Sequence, residues 1–176
     1  IGTEATNHVR YEPNIKGTFI RVEMATVNPG TLASFVVDLN PHLDYQTSSV
    51  SFAEREKSLG DPRGIVWNST GTTAYVSGMG SNNVIVINQA GQRTGLSQTI
   101  PVGEGPTGLA LDEVRDRLYV MNKFSGSISV VSLSSEQEIM QVSFFDPTVP
   151  EIKNGRRHLY NTHLNSGLGQ ISCASC

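Results

Sequence analysis

Cysteine is nearly absent from this chain. There are two among 176 residues, Cys173 and Cys176, and both fall in the last four positions. A structural disulfide framework is therefore excluded within the chain. A bridge between the two would close a loop too small to stabilise the rest. Long apolar runs are also missing: no stretch approaches the roughly 18 residues of a membrane span. No basic-then-apolar leader is present, so any secretory signal is expected to lie upstream or to have been removed. Charged residues make up only 16% of the chain, against roughly 25% in ordinary soluble domains. The net charge is −3. No basic stripe with interleaved aromatics occurs, which argues against a nucleic-acid partner. The first residue is Ile1 rather than Met, so the amino terminus is expected to be processed or truncated.

What is plentiful is glycine, 17 residues, together with Ser, Thr, Asn and Val. That is the composition of short β-strands joined by tight turns. The middle of the chain repeats. Pro62 and Pro106, Gly64 and Gly108, and Tyr75-Val76 and Tyr119-Val120 are each 44 residues apart. Val84-Ile85-Val86-Ile87 maps onto Ile128-Ser129-Val130-Val131 at the same offset. A period of about 40–45 residues with only β signals points to the blades of a β-propeller.

The spacing predicts four strands per copy. In the first copy they are Gly64–Trp67, Thr73–Ser77, Asn83–Asn88 and Gln98–Val102. In the second they are Gly108–Leu111, Arg117–Met121, Ser127–Ser132 and Glu138–Phe144. Asn68–Gly71, Gly78–Asn82, Asp112–Asp116 and Lys123–Gly126 supply the turns. Asn83–Asn88 is apolar on both faces, as expected of a strand held between neighbouring sheets. Pro106-Thr107-Gly108-Leu109-Ala110, Leu118-Tyr119-Val120-Met121-Asn122, Ser127-Ile128-Ser129-Val130-Val131 and Thr99-Ile100-Pro101-Val102-Gly103 together resemble the YVTN-type β-propeller repeat. The resemblance covers residues 60 to 146, about half the chain. It speaks for the fold and is nearly silent about function. Two departures stand out. The first copy has Gly78 where the second has the repeat's asparagine, Asn122, and Thr70-Gly71 and Arg115-Asp116 replace the usual Asp-Gly turn.

Residues 1 to 59 are less regular. Thr18–Thr26 and Ser34–Leu39 read as strands about an Asn28-Pro29-Gly30 turn, half of a degenerate blade. Residues 40 to 59 read as a loop, and the run Glu54-Arg55-Glu56-Lys57 as a solvated face. Two blades and part of a third fall short of the about four to eight of a closed ring. Remaining blades, upstream or on another chain, are the expected partners, because fewer would leave strand edges open.

After Phe145 the pattern changes. Asp146-Pro147-Thr148-Val149-Pro150 reads as a linker. Glu151–Tyr160 follows as a short helix, weakened by Gly155, with Ile152, Leu159 and Tyr160 near one face. Asn165–Gly169 is a flexible turn into Gln170-Ile171-Ser172-Cys173. The chain closes on Cys173-Ala174-Ser175-Cys176, and a following His would complete the C-x-x-C-H signal of covalent haem attachment. Zinc would need further ligands at suitable spacing, and no second C-x-x-C exists. A dithiol redox pair would want a βαβ context that is missing. Either remains an alternative to haem. His158 and His163 lie within 20 residues of the motif, and each is more simply read as solvated. Asn68-Ser69-Thr70 matches a glycosylation sequon by a common pattern, and Gly78-Met79-Gly80 lacks the third glycine of a dinucleotide loop.

Residues 154 to 164, the Gly-rich turn and Ile171-Ser172-Cys173-Ala174-Ser175-Cys176 are similar to the entry of the first haem site in bacterial di-haem cytochrome c peroxidases. The match spans about 22 residues. His163 stands where that family usually has Arg or Lys, and the turn is one residue longer. The resemblance implies that Cys173 and Cys176 form thioethers to haem c. The axial His is expected just beyond the chain end.

The expected fold is all-β: a partial propeller with an irregular carboxyl-terminal lead-in to a cytochrome c domain. The expected division is 1–59 as a degenerate blade and loop, 60–146 as two blades, and 147–176 as linker and start of the haem domain. The resemblance implies a multidomain c-type cytochrome, periplasmic or extracellular, working in electron transfer or peroxidase-like oxidoreduction with a redox partner protein. The alternative is a non-enzymatic surface or binding propeller. No catalytic residue can be assigned from residue order alone.

Overall fold

The computed structural model describes residues 2–5, 20–95 and 99–175. The chain is all-β in its body, an incomplete propeller of three antiparallel sheets. The first sheet contains β1 (Gly2–Ala5), β2 (Ile20–Val27) and β3 (Ser34–Asp38) in the order β1-β2-β3. The second is a four-stranded blade: β4 (Pro62–Trp67), β5 (Thr73–Gly78), β6 (Asn83–Asn88) and β7 (Ile100–Pro101). The third is its repeat: β8 (Pro106–Asp112), β9 (Arg117–Asn122), β10 (Ser127–Ser132) and β11 (Gln137–Ser143).

The repeat is structural as well as sequential. Val66 pairs with Tyr75 in the first blade as Ala110 pairs with Tyr119 in the second. Each blade carries a register shift at its entry, between Pro62 and Gly64 and between Pro106 and Gly108. Left-handed backbone recurs at the same offset, at Asp61 (φ 49°) and Gly105 (φ 70°) and at Asn82 (φ 53°) and Gly126 (φ 61°). Asp and Asn are among the few side-chain-bearing residues that tolerate this conformation. The turns therefore repeat although their residues do not.

Alternation along the strands builds two apolar layers. Ala74, Val76, Ile85 and Ile87 of the first blade pack with Val22, Met24, Leu39 and Leu59. Tyr75, Val84 and Val86, on the opposite face, pack with Leu118, Val120 and Val131 of the second blade. The two blades also touch through polar groups. Ser77 Oγ donates to the Thr107 carbonyl at 3.2 Å, and Ser69 N donates to Glu113 Oε1 at 2.8 Å. Gly64 is glycine for space, since a Cβ there would run into the Thr107 carbonyl.

Several expectations need correction. The outer strand of the first blade is only Ile100–Pro101, not Gln98–Val102, and Gln98 lies outside the described residues. Strand β1 was not foreseen. Strand β2 begins at Ile20, and Thr18 lies outside the described residues. Residues 40–59 are not all loop: Ser51 caps a one-turn helix α1 (Phe52–Arg55), its hydroxyl accepting from Glu54 N. Asn68 is committed to its own turn, where Oδ1 accepts from Thr72 N at 2.8 Å and Nδ2 donates to Thr72 Oγ1 at 3.0 Å.

Candidate functional site

The carboxyl-terminal segment does not run away from the blades. It folds back across them and ends in the cysteine turn. Helix α2 (Pro150–Tyr160) opens with Pro150 at the first turn, where a missing N–H costs nothing. Glu151 near its start and Arg157 and His158 near its end suit the helix dipole. Gly155 sits in open space, so it weakens α2 without breaking it.

Helix α2 lies against the turn between β9 and β10. The Tyr160 and Phe124 rings are 4.7 Å apart. The Arg156 guanidinium is 5.5 Å from the centre of the Phe124 ring, and it donates to the Phe124 carbonyl at 3.1 Å. Asp146 ties down the entry. Its carboxylate accepts from Thr148 N at 2.9 Å and lies 3.1 Å from Lys153 Nζ. The Thr148 hydrogen bonds first, then Lys153, hold the Asp146 pKa down to about 2. Ile152 and Leu159 remain exposed, and no residue of α2 is fully buried.

A second short helix, α3 (Thr162–Asn165), follows and is capped by Asn161 Oδ1 accepting from Leu164 N at 3.0 Å. Thr162 N donates to the Gly80 carbonyl at 2.8 Å. A Cβ on Gly80 would come within 2.6 Å of the Thr162 methyl. Gly80 is thus a packing surface for α3.

The turn expected to be flexible is packed instead. Leu168, Gly169 and Gln170 are buried. Ser166 Oγ accepts from Leu168 N at 3.3 Å and Gly169 N at 3.1 Å. Val50 N donates to the Gly167 carbonyl at 2.9 Å. Gly169 has φ +74° and backs onto the Arg55 carbonyl, so both conformation and space require glycine.

Residues 39–59 receive this turn. Ser58 Oγ donates to the Leu168 carbonyl at 2.8 Å and lies 3.3 Å from His42 Nε2. The Ser58 carbonyl accepts from Asn83 Nδ2 and from the His163 ring, both at 3.0 Å. Gln170 Nε2 donates to the Ile20 carbonyl at 2.6 Å, and Gln170 Oε1 accepts from Asn40 Nδ2 at 3.2 Å. Asn40 in turn brackets Leu59, accepting from its N–H at 2.7 Å and donating to its carbonyl at 2.9 Å. Arg93 donates to the Leu39 and Lys57 carbonyls at 2.7 and 2.6 Å, and burial lowers its pKa to about 10.

The run Glu54-Arg55-Glu56-Lys57 is therefore more than a solvated face. The Arg55 guanidinium reaches the His163 and Ser166 carbonyls at 3.3 and 3.4 Å, and the Lys57 carbonyl is held by Arg93. Buried polar residues spread over 130 positions meet at one junction, and no local pattern announces them. The sequence reading missed Asn40, Ser58, Arg93 and Gln170 for that reason.

The cysteine turn hangs from this junction. Ser172 is buried, and residues Cys173–Ser175 form a single 3-10 turn, η1. Ser172 and Ser175 clamp it reciprocally. Ser172 N donates to Ser175 Oγ and Ser175 N to the Ser172 carbonyl, both at 3.0 Å. Cys173 leaves the turn exposed with a free thiol, and η1 packs beside α2. Cys176 lies outside the described residues.

The histidines are not gathered at this turn. His163 is turned to Ser58, and burial holds its pKa below the ordinary value. His158 is exposed on α2. His42 lies 3.3 Å from Ser58 Oγ, and its pKa is also lowered, by burial and then by Arg93. His8 is outside the described residues. Among the described residues no three His, Cys, Asp or Glu side chains converge to hold a metal ion. No described helix is long and apolar enough to cross a membrane.

No family model matches this chain. No curated protein matches it either. Solved structures do. Hydrazine synthase of Kuenenia stuttgartiensis is 28% identical over 51% of this chain and 25% of that one, with a TM-score of 0.46. Apo AztD of Citrobacter koseri is 14% identical over 71% of this chain and 31% of its own, also at 0.46. The periplasmic gluconolactonase of Pseudomonas aeruginosa is 18% identical over 68% and 40%, at 0.41. The chain spans a quarter to two-fifths of the length of these proteins. The fold assignment here rests on the sheets themselves.

Proposed function

We propose that this chain is the propeller part of a c-type cytochrome, with haem c held through Cys173 and Cys176. The observation that carries the reading is the cysteine turn. An exposed thiol sits at the start of a serine-clamped helical turn, and the residues just before that turn are fastened by buried hydrogen bonds from Gln170 to Ile20 of β2 and from Ser58 to Leu168. The spacing suits attachment, because two residues between the cysteines of a C-x-x-C let both sulfurs reach one porphyrin edge. The donor chemistry fits: an exposed, unpaired thiol can form a thioether, whereas a buried one could not be reached.

In this reading Cys173 and Cys176 hold the group. The Ser172–Ser175 clamp orients the turn. The junction at Ser58, Asn40 and Gln170 keeps it at a fixed place relative to the blades. Haem bound there would supply one-electron chemistry at iron, with a potential tuned by axial ligand and burial. His163 is hydrogen-bonded to the Ser58 carbonyl and is not proposed to hold the iron. The activity proposed is electron transfer with a redox partner protein, or peroxidase-like oxidoreduction. Attachment of this kind takes place outside the cytoplasm, so the location proposed is periplasmic or extracellular.

The test is covalent haem on the natively purified parent protein, read by Soret absorbance and by haem staining after denaturation. Covalent haem is expected, and C173A/C176A should lose it while retaining the β-sheet circular dichroism of the parent. A colourless parent protein with both thiols unmodified would overturn the reading and leave a binding propeller.

A further inference from the structure

The four histidines of the chain are His8, His42, His158 and His163, so residues 60–146, which form both blades, contain none. Two of the four meet at Ser58. The Ser58 hydroxyl has one proton, and the Leu168 carbonyl at 2.8 Å accepts it. Toward His42 Nε2, 3.3 Å away, the same oxygen can therefore only accept. The Ser58 carbonyl likewise accepts from His163 Nε2 at 3.0 Å. Both rings thus turn an Nε2–H to Ser58, and the neutral imidazole supplies it. The charges about the pair are balanced. Arg55 and Glu56 face His163, and Glu54, Lys57 and Arg93 face His42. Asp38 of β3 acts in turn on Arg93. Glu54 is already paired with Lys57 at 2.6 Å. Arg55, Lys57 and Arg93 are thus offset by Asp38, Glu54 and Glu56 while the rings are neutral. Each proton added to a ring is an excess positive charge in a half-buried place.

We propose that His42 and His163 form an acid-sensitive latch: neutral, they hold residues 162–172 and the cysteine turn against the blades, and protonated, they let that segment go while the blades stay folded. The two halves of the latch lie on different parts of the chain. His163 belongs to α3 and leaves with the segment, whereas His42 and Ser58 stay with residues 39–59. Opening returns His163 to water. Burial keeps its pKa below 6.5 in the closed state, against the Ser58 hydrogen bond and Glu56, which act the other way. At His42 burial and Arg93 outweigh the Glu54 backbone in the same sense. Opening is therefore coupled to proton uptake and grows as the pH falls through about 6.5. Little apolar area opposes release, since Leu168 is the one buried apolar residue among the described residues of 147–175. The blades are held by apolar layers. Without histidine, they have no side chain whose ordinary pKa lies between about 5 and 8. The device does not depend on the haem reading, because the junction is the same whether or not Cys173 carries a group.

The test is amide exchange by mass spectrometry on the natively purified parent protein at about pH 7.5 and about pH 5.5. Each rate is taken relative to the intrinsic rate at that pH. Protection over residues 162–172 is expected to fall about tenfold at the lower pH, while β5 and β6 keep theirs. In His42→Gln/His163→Gln the side-chain amides can still donate to Ser58 and take up no proton, so protection should be equal at the two pH values. Unchanged protection of 162–172 in the wild type at the lower pH would overturn the proposal. So would an equal loss in β5 and β6, which would mean that the whole chain unfolds together. An undiminished fall in the double variant would overturn it too, by moving the effect to His8, His158 or the carboxylates. If the double variant lacks protection in β5 and β6 at the higher pH, the two wild-type profiles decide alone. A colourless parent protein changes none of these readings.

Discussion

Ser58 joins four parts of the chain with two oxygen atoms, and two histidines flank it. Its carbonyl can only accept, so the His163 ring nitrogen facing it must carry a proton. The neutral imidazole already provides that proton. Burial holds both His42 and His163 below their ordinary value of 6.5, with Arg93 adding to the effect at His42. Glu54 acts in the opposite sense at His42, as do the Ser58 hydrogen bond and Glu56 at His163. The unfolded chain therefore takes up these protons at a higher pH than the folded one. Stability is full above 6.5 and declines as the pH falls through and below it. The urea midpoint is expected to drop between about pH 7.5 and about pH 5, and the drop should shrink in His42→Gln/His163→Asn. An equal drop in that double variant would move the effect to other groups.

Within an element, the two blades solve one packing problem in opposite ways. Gly78 faces Asn83 across the ladder as Asn122 faces Ser127. In the first blade the amide comes from Asn83, which donates to the Ser58 carbonyl and accepts from Ser81 Oγ at 2.7 Å. In the second it comes from Asn122, which donates to Ser127 and Ser129 at 3.1 and 2.8 Å. The neighbour decides which strand supplies it. A Cβ on Gly78 would run into Ser81 Oγ and lie 2.7 Å from Leu59 Cδ1, while the position 44 residues beyond Leu59 is Gly103, against which Asn122 rests. Gly78→Asn should thus cost about 1–3 kcal/mol through overpacking. In the Leu59→Gly background the added penalty should be smaller, with a coupling of about 0.5–3 kcal/mol in a double-mutant cycle. Additive denaturation free energies would show that the two sites do not share the space. Helix α2 offers a simpler case: Gly155 has helical backbone and open surroundings. Gly155→Ala should raise stability by about 0.5–1 kcal/mol, seen as a higher melting temperature.

At the scale of the whole molecule, the blades and the carboxyl-terminal segment are held by different means. The blades share apolar layers. The segment is held by a few buried hydrogen bonds, so it should open first. Ser58→Ala removes the bonds to the Leu168 carbonyl and His42. Amide exchange is expected to rise over residues 162–172 while β5 and β6 keep their protection, as read by exchange mass spectrometry. A uniform rise would mean that junction and blades unfold together. Much of the fold was legible in the residues, because period and alternation are local properties. The 44-residue offset located both blades, and β6 and β10 begin and end where alternation places them. Turn residues with left-handed backbone recur with the period even where Asp61 becomes Gly105 and Asn82 becomes Gly126. The C-x-x-C was likewise plain as a pattern. The junction was not, since Asn40, Ser58, Arg93 and Gln170 are ordinary polar residues until tertiary contact removes them from water. Exposure was not legible either. Tyr75 and Tyr119 read alike, and only the presence or absence of a neighbouring sheet makes one core and the other surface. Sequence alone determined the inner strands and turns of the two blades and the cysteine motif, which follow from backbone preference and side-chain period. Tertiary structure alone decided that the cysteine turn is bound to the blades, because burial and hydrogen bonding between distant residues exist only once the chain is folded.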